Sequence, residues 1–100
     1  MQQMLGPRSR VLRSSQQVSC DLAGEAAILH LADGVYYGLD RVGATIWNLL
    51  DRSRTLEELR DEVMAEYDVA AAECERDIVA LINDLWARGL VLVENDGDAP

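Results

Sequence analysis

The stretch LADGVYYGLDRVGATIWNLL, residues 31–50, contains the change of pattern that decides the fold. Its Asp33-Gly34 step is a strong signal for a tight hairpin turn, and a strand-like run follows over residues 35–39. Asp40 is then a favourable N-cap, because the apolar residues after it recur at helical spacing. The chain is therefore predicted to turn, form a short strand and enter a first helix.

Two further strands are predicted upstream of this stretch. Residues 17–22 alternate apolar and polar side chains with the two-residue period of a half-buried strand. Ala23-Gly24 turns the chain, and residues 25–31 form a second apolar run. Because tight turns join consecutive antiparallel strands, these three segments predict a three-stranded antiparallel sheet.

Two more helices and a last short strand are predicted downstream. Thr55 and Glu58 have the spacing of a capping box, which marks the start of a second helix. A third helix is predicted over residues 70–88, with Gly89 as its left-handed cap and a strand over residues 90–93. The predicted fold class is α+β, a three-stranded antiparallel sheet followed by three helices in a winged helix-turn-helix-like order.

The chain of 100 residues fits one small domain. Residues 1–16 mix Gly6 and Pro7 with arginines, serines and glutamines and are predicted to be a flexible N-terminal arm, part of which could add a short strand. Residues 17–93 are the predicted domain, and residues 94–100 are a predicted acidic tail.

The charge of the chain argues against nucleic acid as a partner. The formal net charge is −9, from nine arginines and 18 acidic residues. Residues 1–13 hold three of the arginines and no acid, so the other six arginines and all 18 acids leave −12 on the rest. Such a body repels a phosphate backbone, whose neutralisation by Lys and Arg supplies most of the affinity for nucleic acid.

Neither a membrane span nor a secretion signal is predicted. Apolar runs such as residues 46–50 are far shorter than the roughly 18–20 residues that cross a bilayer. The start MQQMLGPRSR also lacks the apolar segment of a signal peptide. We therefore expect a cytoplasmic protein without a membrane partner.

The residues do not predict an enzyme. His30 is the single histidine, and Cys20 and Cys74 are too far apart in sequence for a metal-binding pair. The chain has no glycine-rich phosphate loop and neither of the motifs H-E-x-x-H and G-x-S-x-G. We expect no catalytic residue, no metal and no cofactor.

Two binding functions remain open on the residues alone. A hairpin with three helices is also the arrangement of winged-helix DNA-binding regulators, but acidic residues crowd the first half of the third helix. The run Val35-Tyr36-Tyr37-Gly38-Leu39 is expected at a sheet edge and has no charge or proline to protect it, so it could accept an extended peptide as an added strand. Alternatively, helix or arm residues cover this edge and the tyrosines belong to the core and its rim.

Four motifs in this order and spacing resemble the PqqD-like family. They are DGVYYGLD, GATIWNLL, RTLEEL and RDIVALINDLWARGL, within a match over about residues 17–93. The resemblance implies a RiPP recognition element, a non-catalytic domain that binds the leader segment of a ribosomally made precursor peptide and presents it to a modifying enzyme. That enzyme is a radical S-adenosylmethionine protein in pyrroloquinoline quinone biosynthesis and a transglutaminase-like leader peptidase in lasso-peptide biosynthesis.

The resemblance also implies which residues bind the peptide. They comprise a strand and a facing helix: Val35, Tyr36, Tyr37, Gly38, Leu39, Asp77, Ile78, Leu81, Asp84 and Leu85. Ile78, Leu81 and Leu85 also form the obvious core stripe of the third helix, and we expect at least two of them to be core. The same open edge could pair with a second copy of the chain as a homodimer.

Overall fold

A computed structural model describes residues 5–95, so the ends of the predicted arm and tail, residues 1–4 and 96–100, lie outside the described residues. The elements in chain order are β1 (Ser9–Arg13), β2 (Gln17–Leu22), β3 (Glu25–His30), β4 (Tyr36–Leu39), α1 (Arg41–Leu49), β5 (Arg54–Thr55), α2 (Leu56–Glu66), α3 (Ala71–Ala87) and β6 (Val91–Asn95). The α+β class is confirmed, with three helices and antiparallel strands.

The predicted three-stranded sheet is present in the order β2-β3-β4. Two residues, 23–24, join β2 to β3 in a tight turn, whereas five residues, 31–35, join β3 to β4; Gly24 and Gly34 in these connections take positive φ angles of +93° and +71°. The register places Val18 opposite Leu29, and Leu29 opposite Tyr36. Side chains therefore line up in rows across the sheet, and one face points towards the helices while the other is open.

A second three-stranded sheet, in the order β5-β1-β6, was not predicted. The central strand β1 lies inside the segment expected to be a flexible arm, yet Val11 pairs with Arg54 on one side and Val93 on the other and is 0% exposed. The polar composition of the segment does not predict a strand. The strand is stabilised by tertiary pairing rather than by local propensity. Residues 94 and 95 of the predicted tail belong to β6.

Capping interactions set the ends of the helices as the sequence predicts. The Asp40 carboxylate accepts the Gly43 N–H at 2.9 Å and so begins α1. Thr55 and Glu58 form the reciprocal capping box of α2, with bonds of 3.1 and 2.9 Å. Gly89 follows α3 with φ of +76°, the left-handed conformation of a helix stop.

The core lies between the helices and the inner face of the β2-β3-β4 sheet. Trp47 of α1, Leu59 of α2 and Ile82 of α3 are at most 1% exposed and meet Ile28 of the sheet in one cluster. The Trp47 indole N–H donates to the Ser19 hydroxyl at 3.0 Å, so this buried polar group is satisfied. The helices consequently fix the position of the sheet, including its outermost strand.

Within residues 5–95, no helix is long and apolar enough to cross a membrane.

Candidate functional site

Strand β4 forms an open edge of its sheet. It pairs with β3, and among residues 5–95 no strand pairs with its other side. The His30 N–H donates to the Val35 carbonyl at 3.0 Å, so the two-residue repeat of an antiparallel ladder turns the backbone of Tyr37 towards β3 as well. The N–H and C=O groups of Tyr36 and Gly38 therefore point away from the sheet, where an added strand would bind.

A groove of about 610 Å³ runs beside this edge. Its walls come from β4, from the start of α1 and from one face of α3. The lining residues are Tyr37, Gly38, Leu39, Asp40, Val42, Gly43, Ile46, Asp77, Ala80 and Leu81. Most of them are apolar, so the groove can accept the side chains of an extended segment whose backbone pairs with β4.

Gly43 allows α1 to approach β4 at the base of the groove. A Cβ atom at this position would lie 3.2 Å from the Leu39 Cδ2 atom and 3.3 Å from an Asp40 carboxylate oxygen, closer than ordinary van der Waals contact. The small residue therefore brings the helix directly against the strand, and this contact sets the shape of the groove at its α1 side.

A polar network joins β4 to α3 at one end of the groove. The Tyr37 hydroxyl donates to the Asp84 carboxylate, and the Arg88 Nε donates to the same carboxylate at 3.1 Å. The Arg88 guanidinium also lies over the Tyr37 ring, 4.6 Å from its centroid, in a cation–π contact. These three side chains hold the strand at a fixed distance from the helix.

The network shifts the pKa values of two of its members. The hydrogen bond from Tyr37, supported by Arg88, holds the pKa of Asp84 below its ordinary value. Burial and the hydrogen bond to Asp84 raise the pKa of Tyr37. Near neutral pH the pair is therefore a phenol donating to a carboxylate, which is the stronger, charge-assisted form of the bond.

A smaller apolar cavity of about 110 Å³ adjoins the groove. It lies where the three helices meet and shares Val42, Ile46 and Asp77 with the groove lining. Its floor includes Tyr67, whose hydroxyl lies 2.9 Å from the Thr45 hydroxyl. A side chain that enters the groove at this end can therefore extend into a second apolar space.

The structure brings most of the predicted strand and helix residues to this groove. Tyr37, Gly38 and Leu39 line it from β4, and Asp77 and Leu81 line it from α3. Asp84 lies at its end through its bond to Tyr37. Val35 and Tyr36 are exposed next to the same edge, and Tyr36 projects from the opposite face of the sheet.

Two of the predicted helix residues lie in the core. Ile78 is 2% exposed and borders the smaller cavity, whereas Leu85 is 0% exposed and is absent from the groove lining. Peptide contact by these two residues stays a prediction. A wide apolar helix stripe that packs against both a sheet and a neighbouring helix buries its residues in this way.

Sequence reasoning missed the contribution of α1 to the site. Val42, Gly43 and Ile46 line the groove, whereas the sequence predicts Val42 and Ile46 only as part of the apolar stripe of the first helix. A signal was present, because a helix separated from an edge strand by a single residue must start at the same edge of the sheet. The spacing of Val42 and Ile46 then places both on one face of that helix.

An open strand edge beside a helix-lined groove defines a class of small α+β domains. The four sequence motifs indicate the same class. A family model described as coenzyme PQQ synthesis protein D (PqqD) matches residues 25–91. The chain belongs to the PqqD family.

Two solved structures are similar to the whole domain. One, "TbiB1 in Complex with the TbiA(beta) Leader Peptide", has a TM-score of 0.76 and 36% sequence identity, over 89% of this chain and 99% of that one. The other, "Lasso peptide synthetase B1 complexed with the leader peptide", has a TM-score of 0.71 and 25% identity, over 82% of this chain and 96% of that one. A comparison with curated protein sequences gives no match.

Proposed function

We propose that this chain is a non-catalytic adaptor that binds the leader segment of a ribosomally synthesised precursor peptide and delivers it to a modifying enzyme in the cytoplasm. The observation that carries the proposal is the open edge of β4 beside the groove. Both similar structures are described as complexes with a leader peptide, which supports the same use of this surface. The enzyme is a leader peptidase of the lasso type or a radical S-adenosylmethionine enzyme.

Backbone pairing alone would bind a leader weakly. Tyr36 and Gly38 together offer two N–H and two C=O groups, and each new hydrogen bond contributes a net of about 0.5–1.5 kcal/mol. Four such bonds give roughly 2–6 kcal/mol, less than the approximately 8 kcal/mol of a micromolar complex. The apolar lining of the groove must supply the rest, so the leader needs large apolar side chains at alternate positions.

Within residues 5–95, the charge of α3 is unfavourable for the alternative of a DNA-binding regulator. Glu73, Glu75 and Asp77 are exposed on the first half of α3, the helix that such regulators insert into the major groove. Their charge opposes phosphate, and no feature of residues 5–95 favours the alternative over peptide binding.

Delivery to an enzyme requires a second contact surface, and the outer face of the β2-β3-β4 sheet has the properties of one. Val18, Leu22 and Tyr36 on this face are 56%, 55% and 70% exposed. The three strands have six, six and four residues, so strand spacing and rise give this face roughly 250 Å². A stable protein pair buries about 800 Å² on each partner, so this face is too small for a lasting homodimer.

A small apolar face suits an enzyme that is already tethered to the adaptor through the shared peptide. When the leader is bound at β4 and the rest of the precursor occupies the enzyme, a weak second contact acts at high effective concentration. We therefore propose the modifying enzyme as the occupant of this face, and we expect the isolated chain to sediment as a monomer at micromolar concentration. A stable dimer that buries the face would contradict it.

Calorimetric titration tests the adaptor function itself. The leader of a precursor peptide encoded beside the gene should bind with micromolar or tighter affinity, and the same leader with a proline at its central pairing position should bind more weakly. Absence of binding at about 1 mM peptide, the concentration that corresponds to a binding free energy of about −4 kcal/mol, would contradict the proposal. A gel shift with upstream DNA at low salt should show no complex.

A further inference from the structure

The charged groups of the groove have one sign. Among its lining residues, Asp40 and Asp77 are acidic and none is basic. Arg41 and Arg76, which adjoin Asp40 and Asp77 in sequence, are not among the lining residues. Arg88 is bonded to Asp84, and the Arg41 guanidinium lies towards Gly24, with its Nε 3.8 Å from where a Cβ of that residue would be. An extended segment in the groove therefore meets negative charge.

Three carboxylates lie in or beside the groove, and they differ in the number of hydrogen bonds that each already accepts. Asp40 accepts the Gly43 N–H as the cap of α1. Asp84 accepts from both Tyr37 and Arg88. Asp77 is exposed and makes no hydrogen bond or ion pair with any residue in the range 5–95.

The two α3 carboxylates also mark opposite ends of the groove. Asp77 and Asp84 are seven residues apart, which is two helical turns or about 10 Å. Asp84 is fixed at the Tyr37 end by its hydrogen bond, whereas Asp77 borders the groove and the smaller cavity together with Val42 and Ile46 of α1. The groove thus has a neutralised end at Arg88 and an uncompensated negative end at Asp77.

We propose that Asp77 is a specificity-determining residue that selects peptides with a basic side chain at the end of the bound strand nearest α1. This inference rests on the proposed function and specifies the chemistry of its ligand. A lysine or arginine there gains the attraction of Asp77, and an acidic residue is repelled by Asp77 and Asp40 together. At the Arg88 end, the satisfied Asp84 gives no such preference.

The size of the effect follows from the exposure of the site. An exposed ion pair contributes about 0.2–1 kcal/mol, and repulsion of a like charge has a similar size. Exchange of a lysine for a glutamate at the right peptide position removes the attraction and adds the repulsion, so it should weaken binding by roughly two- to thirtyfold. Because the groups are solvated, the ratio should shrink as added salt screens them.

A charge scan of a defined probe tests the proposal. The probe is a fluorescein-labelled TbiA(β) leader peptide in which each position is changed in turn to lysine and to glutamate, and binding is measured by fluorescence anisotropy. With the unchanged protein, one position or two positions of the same strand face should prefer lysine. Asp77→Asn should lower that ratio, with Asp40 retaining a smaller part of it, whereas the control Glu73→Gln, which removes an exposed charge of α3 outside the groove lining, should leave it unchanged.

Two results would overturn the inference while leaving peptide binding intact. One is an equal lysine preference in the unchanged protein and in Asp77→Asn, and the other is binding that ignores charge at every position. Failure of every probe peptide and of the leader encoded beside the gene would instead contradict the proposed function. Circular dichroism of both variants should match that of the unchanged protein, because both side chains are exposed.

Discussion

At the scale of single residues, the two adjacent tyrosines of β4 have opposite environments. Tyr37 faces α3 and donates to Asp84, whereas Tyr36 is 70% exposed on the other face of the sheet. The alternation of side chains along a strand predicts this division from the sequence. The partner of Tyr37 was not predictable, since it lies 47 positions away and only tertiary packing brings it near.

We expect Tyr37→Phe to lower the free energy of unfolding by about 1–2 kcal/mol, because it removes a hydrogen bond to a charged acceptor. Chemical denaturation measures the loss. Tyr36→Phe is the matched control, since it removes the same hydroxyl from an exposed ring of the same strand, and it should be neutral. Equal effects of the two substitutions would show that the Asp84 contact contributes nothing.

The same network predicts a pH dependence. The pKa of Asp84 is lowered in the folded state, so its contribution to stability is present above the ordinary aspartate pKa of about 3.9 and is lost as the pH falls through the lower folded value. Tyr37→Phe should reduce this acid-limb contribution, measured as the difference in unfolding free energy between pH 6 and about pH 3. An unchanged difference would contradict the assignment of the pKa shift to Tyr37.

At the scale of elements, the groove is defined by the N-cap of α1 and the open edge of β4. Asp40 ends β4 and begins α1, so a single residue sets the angle between the strand that would pair with the leader and the helix that lines the groove. The sequence predicts the cap and the edge because both signals are local. It does not predict that α1 lines the groove, since this depends on how the helix packs against the sheet.

Asp40→Ala should lower the unfolding free energy by about 1 kcal/mol, which corresponds to a fall in the thermal midpoint of roughly 4–8 °C for a domain of this size. Asp40→Asn should retain most of the stability, because an asparagine oxygen also accepts the Gly43 N–H. If the two variants melted at the same reduced temperature, charge rather than capping would be the cause.

Gly38→Pro tests the backbone role of the edge. The substitution removes an N–H that points away from the sheet, and proline is tolerated on edge strands in that orientation. We expect the protein to fold and its affinity for a leader peptide to fall about tenfold, through the loss of one hydrogen bond and hindered approach of the added strand. Full affinity in this variant would show that the leader does not pair with β4.

At the scale of the whole molecule, the β5-β1-β6 sheet packs against α2 and α3. Arg13 of β1 reaches α1, where its Nη2 donates to the Trp47 carbonyl at 2.7 Å and its guanidinium lies 4.6 Å from the centre of the Trp47 ring. Local patterns predict the meander and the helices, which are contiguous in sequence. They do not predict a sheet whose central pair joins residues 9–13 to residues 91–95, because this pairing spans nearly the whole chain.

Val11→Ala should destabilise the domain by about 2 kcal/mol, since the Val11 side chain is fully buried in the hydrophobic core. Leu92→Ala is the control, because Leu92 lies in the same sheet and is 51% exposed. Thermal unfolding followed by circular dichroism compares the two. A neutral Val11→Ala would mean that residues 9–13 behave in solution as the flexible arm that their composition suggests.

The antiparallel pairing of Ser9 with Asn95 has a practical consequence for protein engineering. It brings the first and last strands of the fold to adjacent positions about 5 Å apart, the spacing of neighbouring strands. The chain over residues 9–95 therefore begins and ends at neighbouring positions. Such a unit can be inserted as a cassette into a surface loop of another protein without separating the two sides of that loop.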